Sequence, residues 1–282
     1  MKMKIGPYTL HSIDTGRFAL DGGAMFGIVP KPLWSKTNPP DDQNRIELSM
    51  RCLLLKSNER IVLIDTGGGN KYNDKQKAIY KFGDAWQVLL RSLENAGVDR
   101  GDITDVILTH LHFDHAGGTT VYENGDIQLT FPNARHYVQR DHWEHAQQPT
   151  ERDKGSFFMN DFGLLKNYKG LEIIDGPAEI VPGIDVVVSH GHTNAQQLPL
   201  ISDGTNTVFF CCDLVPTSSH IPYPYIMGYD LRPLETLKDK KYYLPRAYKE
   251  NWILFFEHDP DIIAGTIRQT EKGYSLNESF SF

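Results

Sequence analysis

The sequence predicts an α/β fold on three observations. Apolar runs of strand length recur along the chain, at residues 46–55, 60–64, 106–108, 184–189, 208–212 and 253–257. Two stretches, residues 84–96 and 234–251, carry helical rather than alternating patterns. Most of the apolar runs give way directly to Asp or His, the pattern of strands that deliver polar side chains to one sheet edge. With 282 residues, 40% hydrophobic and 23% charged, the chain can bury a sizeable core. Candidate ligands run from the first half to the last thirty residues, so one domain over 1–282 is expected.

Taken in order, the first strand is expected from Tyr8 to Ile13. Residues 14–44 are rich in Gly and Pro and carry Met25, Phe26, Val29, Leu33 and Trp34. A flexible linker would be polar, so this long irregular segment reads either as a loop covering a substrate or as one packed on the sheet edge. Runs 46–55 and 60–64 make a hairpin across Ser57, Asn58 and Glu59, and the second ends in Asp65-Thr66-Gly67-Gly68-Gly69. No Gly-Lys-Ser/Thr follows, which excludes a P-loop. Residues 84–96 are the clearest helix: Asp84 can cap it, Trp86, Leu89, Leu90 and Leu93 form one apolar stripe, and Gly97 stops it. Beyond it, Asp141-His142-Trp143-Glu144-His145 sets two imidazoles on one helical face, read as surface or lid side chains.

The strand at 184–189 leads into His190-Gly191-His192-Thr193-Asn194-Ala195-Gln196, and the turn Asp203-Gly204-Thr205-Asn206 feeds the strand that ends at Asp213. Cys211 and Cys212 on that strand read as small core residues, and three cysteines with two adjacent make no disulfide framework. Residues 214–230, aromatic and apolar with a few hydroxyls, suit the wall of a pocket for an uncharged, partly apolar substrate. His220, Tyr223 and Tyr225 are its candidate substrate contacts. The helix at 234–251 is expected to break or kink near Pro245, and the last core strand reaches His258.

The densest chemistry is Thr109-His110-Leu111-His112-Phe113-Asp114-His115-Ala116-Gly117-Gly118. Neutral imidazole nitrogen and carboxylate oxygen both suit divalent first-row metals. Side chains two apart on an extended segment point the same way, so His110 and His112 can share one ion while Asp114 and His115, around the turn, reach a second.

The H-x-H-x-D-H string resembles the signature of the metallo-β-lactamase superfamily, and the likeness extends from Asp65 to His258. The resemblance implies a four-layer αββα sandwich of two mixed β-sheets flanked by helices. It implies three further ligands, matched by His192, Asp213 and His258, and an orienting role for Asp65. Metal one would then take His110, His112 and His192, and metal two Asp114, His115 and His258, with Asp213 between them. Zinc is the first choice for the two divalent ions, with iron or manganese compatible. Relatives often carry G-H-T-x-G-H, where this chain has Gln196 in place of the last His. The implied mechanism is attack by a metal-bridging hydroxide, with Asp114 or Asp213 relaying a proton.

Residues 20–30 together with 213–224 resemble a subgroup that includes quorum-quenching N-acyl-homoserine lactonases and methyl-parathion-hydrolase-like enzymes. The expected activity is hydrolysis of an ester or lactone, an N-acyl-homoserine lactone first, with an aryl ester or phosphotriester as the alternative. A flavodiiron-like redox role is disfavoured by His112, where those proteins carry Glu, and by the lack of a flavin domain. The net charge of −7, with no Lys/Arg cluster, excludes nucleic acid as a partner. No apolar run is long enough to span a bilayer and no leader pattern opens the chain, so no membrane and a cytoplasmic location are expected. The expected partner is a small molecule, with a homodimer allowed.

Overall fold

The computed structural model describes residues 3–282. Two seven-stranded mixed sheets form its centre, and in each the strands lie side by side in chain order. The first contains Lys4–Ile5, Tyr8–Asp21, Arg45–Lys56, Ile61–Ile64, Asp105–Ile107, Arg135–Gln139 and Leu171–Ile174. The second contains Ala178–Val181, Ile184–Ser189, Gln196–Ser202, Thr207–Phe210, Ile253–Phe255, Ala264–Thr270 and Gly273–Phe280.

Alternation along the strands builds the layers. Leu53, Leu55, Val62, Ile64 and Ile107 join Val186, Leu198, Val208, Phe210 and Leu254 in the core between the sheets. Their neighbours Leu54, Leu63, Val106 and Leu108 pack instead with Trp86, Leu89 and Leu93 of the helix Ala85–Asn95. That helix starts where the Asp84 side chain accepts the Gln87 N–H and ends before Gly97, which takes the left-handed φ of 68° that a side chain disfavours. On the far face of the second sheet lies the helix Pro233–Lys249, which runs unbroken through Pro245 because Tyr243, Leu244 and Ala247 bury its apolar side. The fold is thus the expected sandwich of two mixed sheets flanked by helices.

Parallel pairing sets the site's position. Ile61–Ile64 runs parallel to Asp105–Ile107, with Ile64 level with Ile107, and Thr207–Phe210 runs parallel to Ile253–Phe255, with Phe210 level with Phe255. Parallel neighbours end at the same edge, so Asp65, the 109–118 segment, Asp213 and His258 emerge together.

The expected loop at 14–44 is corrected at its start. The strand Tyr8–Asp21 continues through Asp14 and pairs with Arg45–Lys56 from end to end, interrupted by a register shift between Asp14 and Arg17 where Gly16 adopts a φ of 101°. That bulge breaks the alternation and hides the strand's second half from sequence reading. Residues 22–44 are the irregular part, with short helices at Gly22–Phe26 and Lys31–Trp34. Among the described residues, no helix is long and apolar enough to cross a membrane.

Candidate metal centre

The strand Asp105–Ile107 hands over to a segment held from three sides. Asp65 accepts the Thr109 backbone N–H at 2.7 Å and its hydroxyl at 2.6 Å. Thr66 donates its backbone N–H and hydroxyl to the His115 carbonyl at 2.8 and 3.0 Å. Leu111 donates its backbone N–H to Nε2 of His142 at 2.7 Å, and His142 Nδ1 in turn donates to the Asn194 carbonyl at 2.7 Å. His142 is therefore neither a surface nor a lid residue: it is fully buried, and burial lowers its pKa to about 3, so it stays neutral with one nitrogen free to accept. His145 bonds Asp153 at 2.6 Å. The single turn Phe113–Ala116 then folds Asp114 and His115 inward.

Seven predicted side chains meet. His110, His112, His192 and Asp213 place one ligand atom each within 4.8 Å of one another, as do Asp114, His115 and His258. Asp213 lies between the groups, its Oδ2 2.9 Å from His192 Nε2 and 3.3 Å from His115 Nε2, its Oδ1 3.2 Å from His258 Nε2. All seven are buried.

Hydrogen bonds behind the rings decide what points forward. His192 Nδ1 faces Asp230 Oδ1 at 3.0 Å and His258 Nδ1 faces the Ser49 carbonyl at 2.8 Å. His115 Nδ1 faces Asp65 and Glu257 at 3.2 and 3.1 Å. His110 Nδ1 faces the Thr109 hydroxyl at 3.1 Å, whose own proton is given to Asp65. Each Nδ1 is thus the donor, and four Nε2 lone pairs are left facing inward. His110 Nε2 approaches His112 Nδ1 to 3.0 Å, His192 Nε2 approaches it to 3.1 Å, and His258 Nε2 approaches His115 Nε2 to 3.0 Å. Lone pairs converging at such distances, beside an Asp213 Oδ1 with no hydrogen bond, fit cations of the kind that N/O donors hold. The charge balance agrees: burial lowers the His192 pKa, yet Asp213 and Asp230 together push it up to about 10, a demand for positive charge in the site.

Cys212 is buried, as expected, with a left-handed φ of 44° and its Sγ 3.7 and 3.8 Å from Nδ1 of His110 and His115, behind the cluster. Gln196 donates its amide to that sulfur at 3.0 Å.

A cavity of about 340 Å³ opens over the cluster. Its apolar wall is Leu20, Met25, Tyr80, Phe113, Met227 and Tyr229, and Arg152, Asp153 and Ser156 form a polar side. Leu20 and Met25 come from the predicted covering segment. The substrate contacts expected from His220, Tyr223 and Tyr225 are not found, since none of the three lines this cavity. His220 is buried against Phe26 at a ring spacing of 4.5 Å, donating from Nε2 to the Met25 carbonyl. Tyr225 meets the edge of Phe26, and Tyr223 packs on Tyr274. The buried Lys240 draws this loop inward by donating to the carbonyls of His220, Pro222 and Tyr225 at 2.6, 2.8 and 2.9 Å. Only the loop's end, from Met227 to Tyr229, reaches the cavity, where Arg152 ties it by donating to the Gly228 carbonyl at 2.7 Å.

Comparison with known proteins follows the same lines. The model of the metallo-beta-lactamase superfamily matches residues 48–265. An N-acyl homoserine lactonase of a Bacillus species is 30% identical over 268 residues, covering 89% of this chain and 92% of its own. The N-acyl homoserine lactonase AiiA of Bacillus thuringiensis subsp. kurstaki is 28% identical over 265 residues with the same coverage. Among solved structures, a probable metal-dependent hydrolase from Staphylococcus aureus superposes with a TM-score of 0.87 at 30% identity, over 99% of this chain and 100% of that one. AidC, a dizinc quorum-quenching lactonase, superposes with a TM-score of 0.82 over 100% of this chain and 98% of its own, at 22% identity, a likeness of fold.

Proposed function

We infer the function from one premise: the chain belongs to the metallo-beta-lactamase superfamily and is a metal-dependent hydrolase. On our reading it holds two divalent ions, zinc first, and opens a lactone ring, with an N-acyl-homoserine lactone as the favoured substrate. The observation that carries the dinuclear part is the position of Asp213, whose two oxygens lie within 3.3 Å of His192, His115 and His258. One ion would take His110, His112 and His192, the other Asp114, His115 and His258, and Asp213 would serve both. When bound, such ions polarise a carbonyl oxygen and bring the pKa of a coordinated water towards neutrality.

The protein's own residues supply the rest. Leu20, Met25, Phe113 and Met227 hold the apolar part of the substrate and keep water off it. Partial withdrawal from water, helped by Asp21, Tyr80 and Asp114, raises the pKa of the Tyr229 phenol, which stands at the cavity wall as a donor to a substrate oxygen. The carboxylate oxygens of Asp114, at the cavity floor, accept a proton released in the reaction and pass it to the leaving alkoxide. The lactone reading is supported by relatives named N-acyl homoserine lactonases along nine-tenths of the chain and by a largely apolar cavity.

The test is a substrate panel on metal-loaded protein: short- and long-chain acyl-homoserine lactones beside an aryl ester and a phosphotriester, with His115→Ala and Asp213→Asn as controls. Lactone opening that disappears, together with bound metal, in both variants is the expected result. Ester or phosphotriester cleavage without lactone turnover would move the substrate and keep the site, whereas full activity in both variants would defeat the site.

A further inference from the structure

Glu257 has no part in the ligand set, yet it is built into the centre. It is fully buried, and neither carboxyl oxygen has a hydrogen-bond partner of good geometry. Its Oε2 lies 3.1 Å from His115 Nδ1, and Asp65 Oδ2 lies 3.2 Å from the same nitrogen. The two carboxyls are not equivalent. Asp65 accepts three bonds, two from Thr109 and one from His115 Nδ1, while both Glu257 oxygens are left without one. A carboxyl placed wholly out of water is costly unless it is bonded, and one N–H is available to it.

The backbone explains how it comes to be there. Arg51 donates its N–H to the Glu257 carbonyl and Ser49 donates to the His258 carbonyl, each at 3.1 Å. The Arg51 guanidinium clamps the carbonyls of Phe256 and Asp259 at 2.8 and 2.9 Å. The strand has ended at Phe255 and the chain bends at Glu257 and His258, and so clamped it sends His258 into the cluster while Glu257 lies behind His115.

We propose that Glu257 is a positioning residue for the second ion: its buried carboxyl stands beside the Asp65-bonded Nδ1–H of His115 as a second acceptor, and the pair of carboxyls aims Nε2 at the ion that Asp114 and His258 would also hold. The proposal rests on the dinuclear reading above. It gives the His115 ring two carboxyls, Asp65, which also fixes the Thr109 end of the segment, and Glu257, which has no other task there. The arrangement matches that at the first ion, where Asp230 stands behind His192 at 3.0 Å. One carboxyl-backed histidine then serves each ion.

The test reads metal binding rather than turnover. Metal-free wild type, Glu257→Leu and Glu257→Gln are titrated with zinc alone and with cobalt(II) alone, by calorimetry and by the cobalt absorption bands, with unfolding in chelator as the check of folding. In wild type two ions bind. In Glu257→Leu one ion keeps its affinity and the other weakens by roughly 10–100-fold, the usual effect of removing a partner behind a ligand. Glu257→Gln keeps an acceptor oxygen in place and recovers most of that loss. Should the leucine variant not fold, Glu257→Met removes the acceptor with a more adaptable side chain. Two wild-type affinities in the Leu or Met variant would overturn the proposal, because Asp65 alone would then hold His115. Equal weakening of both ions, or no recovery with Gln, would also overturn it as a merely structural effect. A wild type that saturates at one ion would defeat the dinuclear reading itself, a result distinguishable from failure of Glu257 alone.

Discussion

At the scale of single residues, a histidine becomes a ligand through what stands behind it. Asp230 accepts from His192 Nδ1 at 3.0 Å and from the Thr236 hydroxyl at 2.6 Å. Asp230→Ala leaves both donors unpaired in a buried site, and a loss of roughly 10–100-fold in affinity for one ion is expected, with Asp230→Asn losing less. Competition with a coloured zinc chelator measures it, and unchanged affinity in the alanine variant would refute the role. Close approach matters as much as bonding. Gly118 packs so tightly on the segment after Asp65 that an added Cβ would overlap the Thr66 carbonyl oxygen. Gly118→Ala is expected to cost about 1–3 kcal/mol in urea unfolding as the loop is forced away. His110, His112, Asp114 and His115 are legible in the sequence because their dense spacing is a local fact, while His192, Asp213 and His258 are picked out by the family resemblance together with their places beyond apolar runs. Asp230, Glu257, Tyr80 and Tyr229 are not, since their roles arise from approaches between distant segments that no local pattern records. His220, Tyr223 and Tyr225 mislead for a related reason: composition marks the loop, but the Lys240 tether decides which of its side chains turn inward.

At the scale of elements, alternation and caps carry most of the reading. The hairpin at 46–64, the capped helix Ala85–Asn95 and the strands that end at Asp213 and His258 follow from periodicity and turn residues. The Tyr8–Asp21 strand does not, because its bulge at Gly16 resets the alternation, and its pairing with Arg45–Lys56 carries it past the bulge. Strand Arg135–Gln139 adds an element whose stability depends on pH. His136 on it is buried, with Nδ1 bonded to the Ala134 carbonyl and Nε2 bonded to nothing, and burial lowers its pKa to about 4. The unfolded value is near 6.5, so the unfolded chain binds this proton first as pH falls. The contribution to stability is therefore complete above about pH 6.5 and is lost on the way down to pH 4, to a total of roughly 3 kcal/mol. His136→Leu fills the same apolar site without a titrating group. Its unfolding free energy is expected to fall less steeply than that of wild type between pH 6.5 and 4, and parallel curves would rule the group out.

At the scale of the whole molecule, the centre joins the two sheets. His110, His112, Asp114 and His115 follow strands of the first sheet, while His192, Asp213 and His258 follow strands of the second. Both sheets contribute to the core between them, and at the edge where they meet side chains from distant parts of the chain are held with inward lone pairs facing each other. Cations held by both sets of groups would tie one sheet to the other. Ions that bind the folded chain and not the unfolded one add RT ln(1 + [M]/Kd), about 4 kcal/mol per site at a thousandfold excess over Kd. For a chain of this length that is a shift in Tm of roughly 5–10 °C per site. Metal-loaded protein is therefore expected to melt well above chelator-treated protein, with the gap widening as free zinc is raised. Asp213→Asn, which weakens a group placed between both sets of ligands, is expected to lose most of that gap while melting close to wild type in chelator. If the wild type melts at one temperature with and without chelator, the ions do not join the sheets and the centre contributes nothing to the stability of the fold.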